Sequence, residues 1–207
     1  MADEELFQAI NFENIEKLKD LGAGEQVNLN FQMNVSLGNK CYPIHLAVSK
    51  GNLEMVRVML NNPTCDPDVV DKNTGVTAYW LAAYYGHLNI MRELNIYGVD
   101  IYTTHKATGT NVLHLAVEKR YRAILSHLIE CEFDLDIRKT GGVTALMIAC
   151  RNKESESLAR ELINYNADVN LISEAGRSAL TESIMSVNDA LVLKLLSRGA
   201  HMYFEPE

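Results

Sequence analysis

No stretch of the 207 residues approaches the roughly 18 consecutive apolar positions of a membrane span, so no transmembrane anchor is expected. Cations are scarce: 19 Lys and Arg against 27 Asp and Glu leave a formal net charge of -8. A grip on nucleic-acid phosphates or an anionic membrane needs clustered cations, so neither partner is expected. The four cysteines, Cys41, Cys65, Cys131 and Cys150, include no Cys-x-x-Cys pair, which argues against a zinc site or a redox dithiol and for reduced, packed thiols. Also missing are a Gly-x-Ser-x-Gly elbow, a Gly-Lys-Ser/Thr phosphate loop, a Gly-x-Gly-x-x-Gly turn and a His-Glu-x-x-His helix. With no catalytic, metal or cofactor site indicated, the chain reads as a non-enzyme. The N-terminus, Met1-Ala2-Asp3-Glu4-Glu5, is acidic where a secretory or mitochondrial signal would be basic, and a soluble protein of the cytoplasm, or also of the nucleus, is expected.

What is present is self-similarity. Tyr42-Pro43-Ile44-His45-Leu46-Ala47, Thr77-Ala78-Tyr79-Trp80-Leu81-Ala82, Asn111-Val112-Leu113-His114-Leu115-Ala116, Thr144-Ala145-Leu146-Met147-Ile148-Ala149 and Ser178-Ala179-Leu180-Thr181-Glu182-Ser183 begin 35, 34, 33 and 34 positions apart. Independent amphipathic helices would not hold so regular a spacing. Glycine stands two residues before four of the copies, at Gly75, Gly109, Gly142 and Gly176, where a turn can demand positive φ. A second helical pattern follows each copy, over 53–60, 88–94, 123–129, 158–163 and 190–196. Each unit is therefore turn, helix, turn, helix.

These residues resemble the ankyrin repeat family, whose helix start is Thr-Pro-Leu-His-x-Ala in a unit of about 33 residues. The resemblance covers nearly the whole chain, although no copy is perfect and the last keeps only Ala179-Leu180. It implies an all-α ankyrin-repeat solenoid: a single domain over 1–207, with repeats at about 1–35, 36–70, 71–104, 105–137, 138–171 and 172–207. The first and last read as caps with polar outer faces. Ala47, Ala82, Ala116 and Ala149 would let neighbouring helices approach, giving a slightly curved rod.

Local departures refine this reading. Phe31, Met33, Val35 and Leu37 alternate with polar residues, so the first finger reads as an extended hairpin. Arg120 and Tyr121 replace the family's Gly-His, predicting a less standard inter-helix turn there. Residues 151–157 carry about one extra residue, read as a polar surface insertion. In the last unit Glu182 and Ser183 replace apolar positions, as a cap would. Glu130, Glu132, Asp134 and Asp136 lack the closing glutamate of a calcium loop and read as a solvated edge. Thr140-Gly141-Gly142 reads as hairpin geometry.

Two features point to function. In the family, the positions of Tyr84 and Tyr85 and the hairpin tips typically contact partners. That carry-over gives a surface of Ser49, Lys50, Lys72, Asn73, Val76, Trp80, Tyr84, Tyr85, Lys106, Glu118, Lys119, Lys139, Arg151 and Asn152. Trp80 and Tyr84 stand four apart on one helical face, so their rings can meet, and Tyr85 points about 100° further round. Exposed Tyr and Trp are rich in binding energy; the alternative is packing between repeats, above all for Trp80, which occupies the family's histidine position. His45 and His114 keep that histidine and read as structural. Leu162, Asp168, Val169 and Asn170 have a spacing that resembles an asparaginyl-hydroxylase target, the alternative being that Asn170 simply stabilises its turn. The implied function is recognition of another protein as a scaffold, adaptor or inhibitor, by a chain that is monomeric alone; the competing reading is an assembly chaperone for one subunit of a larger complex.

Overall fold

The computed structural model describes residues 2–23, 28–36 and 39–202. Among them are twelve α-helices in six consecutive pairs and two short antiparallel strand pairs. The chain divides into two compact units, residues 1–107 and 108–207.

The first unit holds α1 (Ala2–Asn11) with α2 (Ile15–Ala23), α3 (Pro43–Lys50) with α4 (Leu53–Leu60), and α5 (Ala78–Tyr85) with α6 (Leu88–Ile96). Helix starts follow local chemistry: Thr77 Oγ1 accepts from the Trp80 N–H, Asn52 Oδ1 accepts from the Met55 N–H, and α3 carries Pro43 in its first turn. Gly51 and Gly86, both left-handed, end α3 and α5. Gly51 is needed for space as well, because a Cβ there would lie 2.7 Å from the His87 ring of the next repeat. Leu6, Ala9, Ile10 and Leu18 bury the inner side of the first pair, and Glu4 and Glu5 are exposed as expected. Strands β1 (Met33–Ser36) and β2 (Asn39–Cys41) form the expected finger, pairing Met33 with Cys41. Its Met33 is buried and Phe31 half-buried; the Val35 side chain and Leu37 lie outside the described residues, as do 203–207 of the last repeat.

The second unit holds α7 (Val112–Glu118) with α8 (Arg122–Glu130), β3 (Arg138–Lys139) paired with β4 (Val143–Thr144), α9 (Ala145–Arg151) with α10 (Glu156–Asn164), and α11 (Ala179–Met185) with α12 (Asp189–Ser197). Arg120 takes the left-handed conformation that glycine has at its equivalents, with φ 59°, so the turn keeps the standard backbone where a less standard one was expected: the Tyr121 N–H donates to the Ala116 carbonyl as the His87 N–H does to that of Ala82. The extra residue after α9 is absorbed by a single 3-10 turn, Lys153–Ser155, opened by the Asn152 cap. Adjacent hairpins approach closely: a Cβ on Gly142 would stand 3.1 Å from the Glu174 backbone nitrogen. The alanine column, Ala47, Ala82, Ala116 and Ala149, is buried throughout.

The polar substitutions of the last repeat face the other way from expectation. Glu182 and Ser183 are buried, because α11 turns them toward Arg151 and Cys150 of the preceding repeat, while Ile184, Met185 and Val187 are exposed.

Candidate functional site

Histidines at one recurring position tie two of the repeats to the hairpin that follows. In the first unit His45 Nε2 lies 3.0 Å from the Val69 carbonyl oxygen; in the second, His114 Nε2 lies 3.1 Å from that of Val143. A neutral ring donates this bond while the Asn111 N–H donates to His114 Nδ1 in a reciprocal cap. Burial holds both imidazoles below their ordinary range, His114 down to about 4. Both histidines are thus bonded structural groups, as the sequence reading expected.

Trp80 breaks this column. It is buried, and its ring stacks on Tyr84 at 5.4 Å between centroids and meets His105 of the next hairpin at 5.8 Å. Tyr84 then meets Tyr85 edge-on at 5.1 Å, and Tyr85 stacks on His87 at 5.9 Å. Five rings therefore run in sequence across the third repeat: His105, Trp80, Tyr84, Tyr85 and His87. The two tyrosines are 39% and 44% exposed and are held in ring contact. His87 and His105 flank the repeat's own turns and carry no local motif that marks them as members of this row. Trp80 lies on the packing side of the choice, and Val76, also buried, is corrected likewise: it closes its hairpin by accepting from the Asp71 N–H.

The cations placed on the expected surface are exposed or half-buried, yet several are engaged in joining repeats. Lys50 Nζ donates to Asn11 at 3.0 Å, Lys106 Nζ to the Lys72 carbonyl at 2.8 Å, and Lys139 Nζ to Glu118 at 2.5 Å. Arg151 donates twice to buried Glu182, from Nε at 3.1 Å and Nη2 at 2.9 Å, with Arg177 at 3.6 Å. Lys72 and Asn73 are exposed at their hairpin tip, Lys119 at the end of α7, and Asn152 is exposed while capping the 3-10 turn. Ser49 is half-buried and donates to the Leu46 carbonyl. Replacing Arg151 with alanine strips a buried carboxylate of its bidentate partner. We expect a loss of roughly 2 kcal/mol, less than for a fully buried pair because Arg151 is largely solvated and Arg177 remains. Chemical denaturation should read this loss, and Arg151→Ala/Glu182→Leu should recover most of it.

The acidic edge is an internal ladder. In the first unit Asp68 accepts from the Asp100 N–H at 2.9 Å; in the second, Asp136 accepts from the Asp168 N–H at 2.8 Å. Burial, then the neighbouring carboxylates, raise the affinity of Asp68 and Asp136 for protons. Asn170 ends the second ladder with both halves of its amide engaged: Nδ2 donates to the Gly199 carbonyl at 3.1 Å and Oδ1 accepts from the His201 N–H at 3.2 Å. That geometry is the turn-stabilising one. Among the described residues no group of three His, Cys, Asp or Glu is placed to hold a metal ion, and no helix is long and apolar enough to cross a membrane.

Comparison with known proteins agrees with this architecture. The family model described as ankyrin repeats (3 copies) matches residues 6–105 and 113–205. Neurogenic locus notch homolog protein 2 of Homo sapiens is 35% identical over 129 residues, 62% of this chain and 5% of that protein. Neurogenic locus notch homolog protein 1 is 36% identical over 132 residues in Xenopus tropicalis and 34% identical over 131 residues in Homo sapiens, again over 62% of this chain and 5% of each relative. The chain thus spans a small fraction of the relatives it resembles. The helix pairs, the histidine column and a match that covers most of both units lead to one assignment: this chain belongs to the ankyrin repeat family.

Proposed function

We propose that this chain is a protein-recognition module, acting as a scaffold, adaptor or inhibitor, and that its partner docks on the ridge formed by Tyr84 and Tyr85. Ankyrin repeats generally mediate protein–protein interaction. The observation that carries the reading is the exposure of two adjacent tyrosines whose rings are already ordered by Trp80 and His87. Pre-ordered aromatics lose little rotamer freedom on binding, so more of their contact energy appears as affinity. With a net charge of -8, the chain favours a partner whose contact surface is basic or apolar. The same reading makes it a non-enzyme of the cytoplasm or nucleus.

The test is a Tyr84→Ala/Tyr85→Ala variant against a partner captured from native lysate and then purified. Titration should show affinity falling by at least about 30-fold, the size of a hot-spot loss, while the melting temperature changes little because both side chains are partly exposed. A severe fall in melting temperature with affinity intact would sink the proposal.

A further inference from the structure

Charge is sorted across the first unit. Over α2, α4, α6 and the loops that leave them, residues 15–23, 53–69 and 88–101, seven carboxylates stand against four cations, with Lys19 paired to Glu54 at 3.3 Å and Arg57 to Glu93 at 2.9 Å. On α3, α5 and the hairpins beside them, residues 70–77 and 102–107, the balance reverses: Lys50, Lys72 and Lys106 stand against one carboxylate, Asp71. Asp71 is buried and already accepts from the Asn73 and Thr74 N–H groups and from the Thr74 hydroxyl. The carboxylate of the first repeat that adjoins this side, Glu13, accepts from Asn52 Nδ2 at 2.9 Å. All three lysines are exposed, and among the described residues none forms an ion pair. Lys50 and Lys106 donate to neutral oxygens of Asn11 and Lys72, which leaves their charge uncompensated and at least one of the three N–H donors of each ammonium open. They also bracket the aromatic row. At one end Lys50 precedes Gly51, where a Cβ would lie 2.7 Å from the His87 ring; at the other Lys106 follows His105, whose ring meets Trp80, and its Nζ reaches the Lys72 carbonyl.

We propose that the segment docking on Tyr84 and Tyr85 is an acidic, extended peptide whose carboxylates pair with Lys50 at one end of the ridge and with Lys72 and Lys106 at the other. This rests on the docking role proposed above for the two tyrosines and adds the sign of what docks there. The chain's total of -8 is not the charge that a partner meets at the ridge. At physiological ionic strength exposed charges more than about 8 Å apart are largely screened, so the contact answers to its nearest charges. A basic segment arriving there meets three uncompensated ammonium groups, whereas a carboxylate finds complementary ones. The spacing follows from the helix between the two ends. α5 has 8 residues and is about 12 Å long, a distance that an extended chain covers in about four residues. Two carboxylates that far apart would hold the apolar side chains between them over the tyrosine rings, a polar rim around an apolar centre.

Selection on the full 207-residue chain from a phage-displayed library of random peptides, each about twelve residues long and so able to span α5 when extended, reads the preference directly. The retained peptides are expected to be at least about threefold richer in Asp and Glu than the input. The tightest of them, labelled and titrated by fluorescence anisotropy, should bind Lys50→Glu/Lys72→Glu/Lys106→Glu at least about tenfold more weakly than wild type, and should lose affinity as salt is added. Lys50→Met/Lys72→Met/Lys106→Met, which removes the charges and keeps the aliphatic stems, should fall between the two, and it decides the matter if melting curves show the reversed variant unfolded. Tyr84→Ala/Tyr85→Ala separates the two readings. Affinity lost in that variant but kept in both lysine variants leaves the ridge standing and removes the acidic partner; wild-type affinity in the tyrosine variant removes the ridge, and the acidic partner with it. Retained peptides that are basic or uncharged, or a chain that retains none, overturn the proposal as well.

Discussion

Ala116→Trp is expected to abolish the cooperative thermal transition of residues 108–207. Ala116 lies wholly buried on α7, a helix packed against both α8 and α9. Its own carbonyl accepts from the Tyr121 N–H at 2.7 Å, so the chain entering α8 is held close above it. Interiors are packed to crystal density, and forcing even a few methylenes into such a site costs about 1–3 kcal/mol. An indole greatly exceeds that volume, and the cost should pass about 5 kcal/mol, the lower end of a domain's total stability. Damage in a repeat array spreads to nearest neighbours first. Amide exchange should therefore accelerate most in α7, α8 and α9, with α12 affected less. Ala123→Trp, on the exposed side of α8, is the control and should melt close to wild type. Unchanged melting of Ala116→Trp would mean that the repeat register is misassigned.

Acid should weaken the second unit through His114. Its ring is fully buried, and burial lowers its proton affinity to about 4, against 6.5 for a free imidazole. The unfolded chain thus takes up a proton below about pH 6.5 that the folded chain refuses until about pH 4. The stability given by the neutral, bonded ring is complete above the upper value and is lost as pH falls through that window. A shift of this size corresponds to about 3 kcal/mol at the acid end. His45 contributes in the same direction in the first unit. Denaturant titrations at several pH values should show wild type falling toward His114→Gln, with the gap between the two narrowing from neutral pH to about pH 4. A gap that stays constant would show that the ring is not buried in its neutral form.

The repeat and most of the helix boundaries were legible in the chain because they rest on short-range chemistry. Thr77, Asn111, Thr144 and Ser178 each accept from a backbone N–H three residues on, a bond written within one turn. The Trp80–Tyr84 contact was legible for the same reason, since residues four apart on a helix share a face. The surface was read less well. Lys50, Lys106, Lys139 and Arg151 marked positions that touch partners in the family, but here their cationic ends serve neighbouring repeats, 39, 34, 21 and 31 residues away. No local pattern specifies which of several nearby acceptors a flexible basic side chain will choose.

By itself, then, the sequence determined the period, the helix pairs, the capped starts and the small residues at which helices meet, because each depends on backbone geometry and on neighbours a few residues apart. Only the tertiary structure decided which side of a substituted position faces in. Glu182 looked like an outward polar replacement and is a buried carboxylate held by Arg151; Val76 looked like surface and is buried. Those outcomes depend on the presence or absence of a neighbouring repeat over that spot, and coverage is a property of three-dimensional stacking.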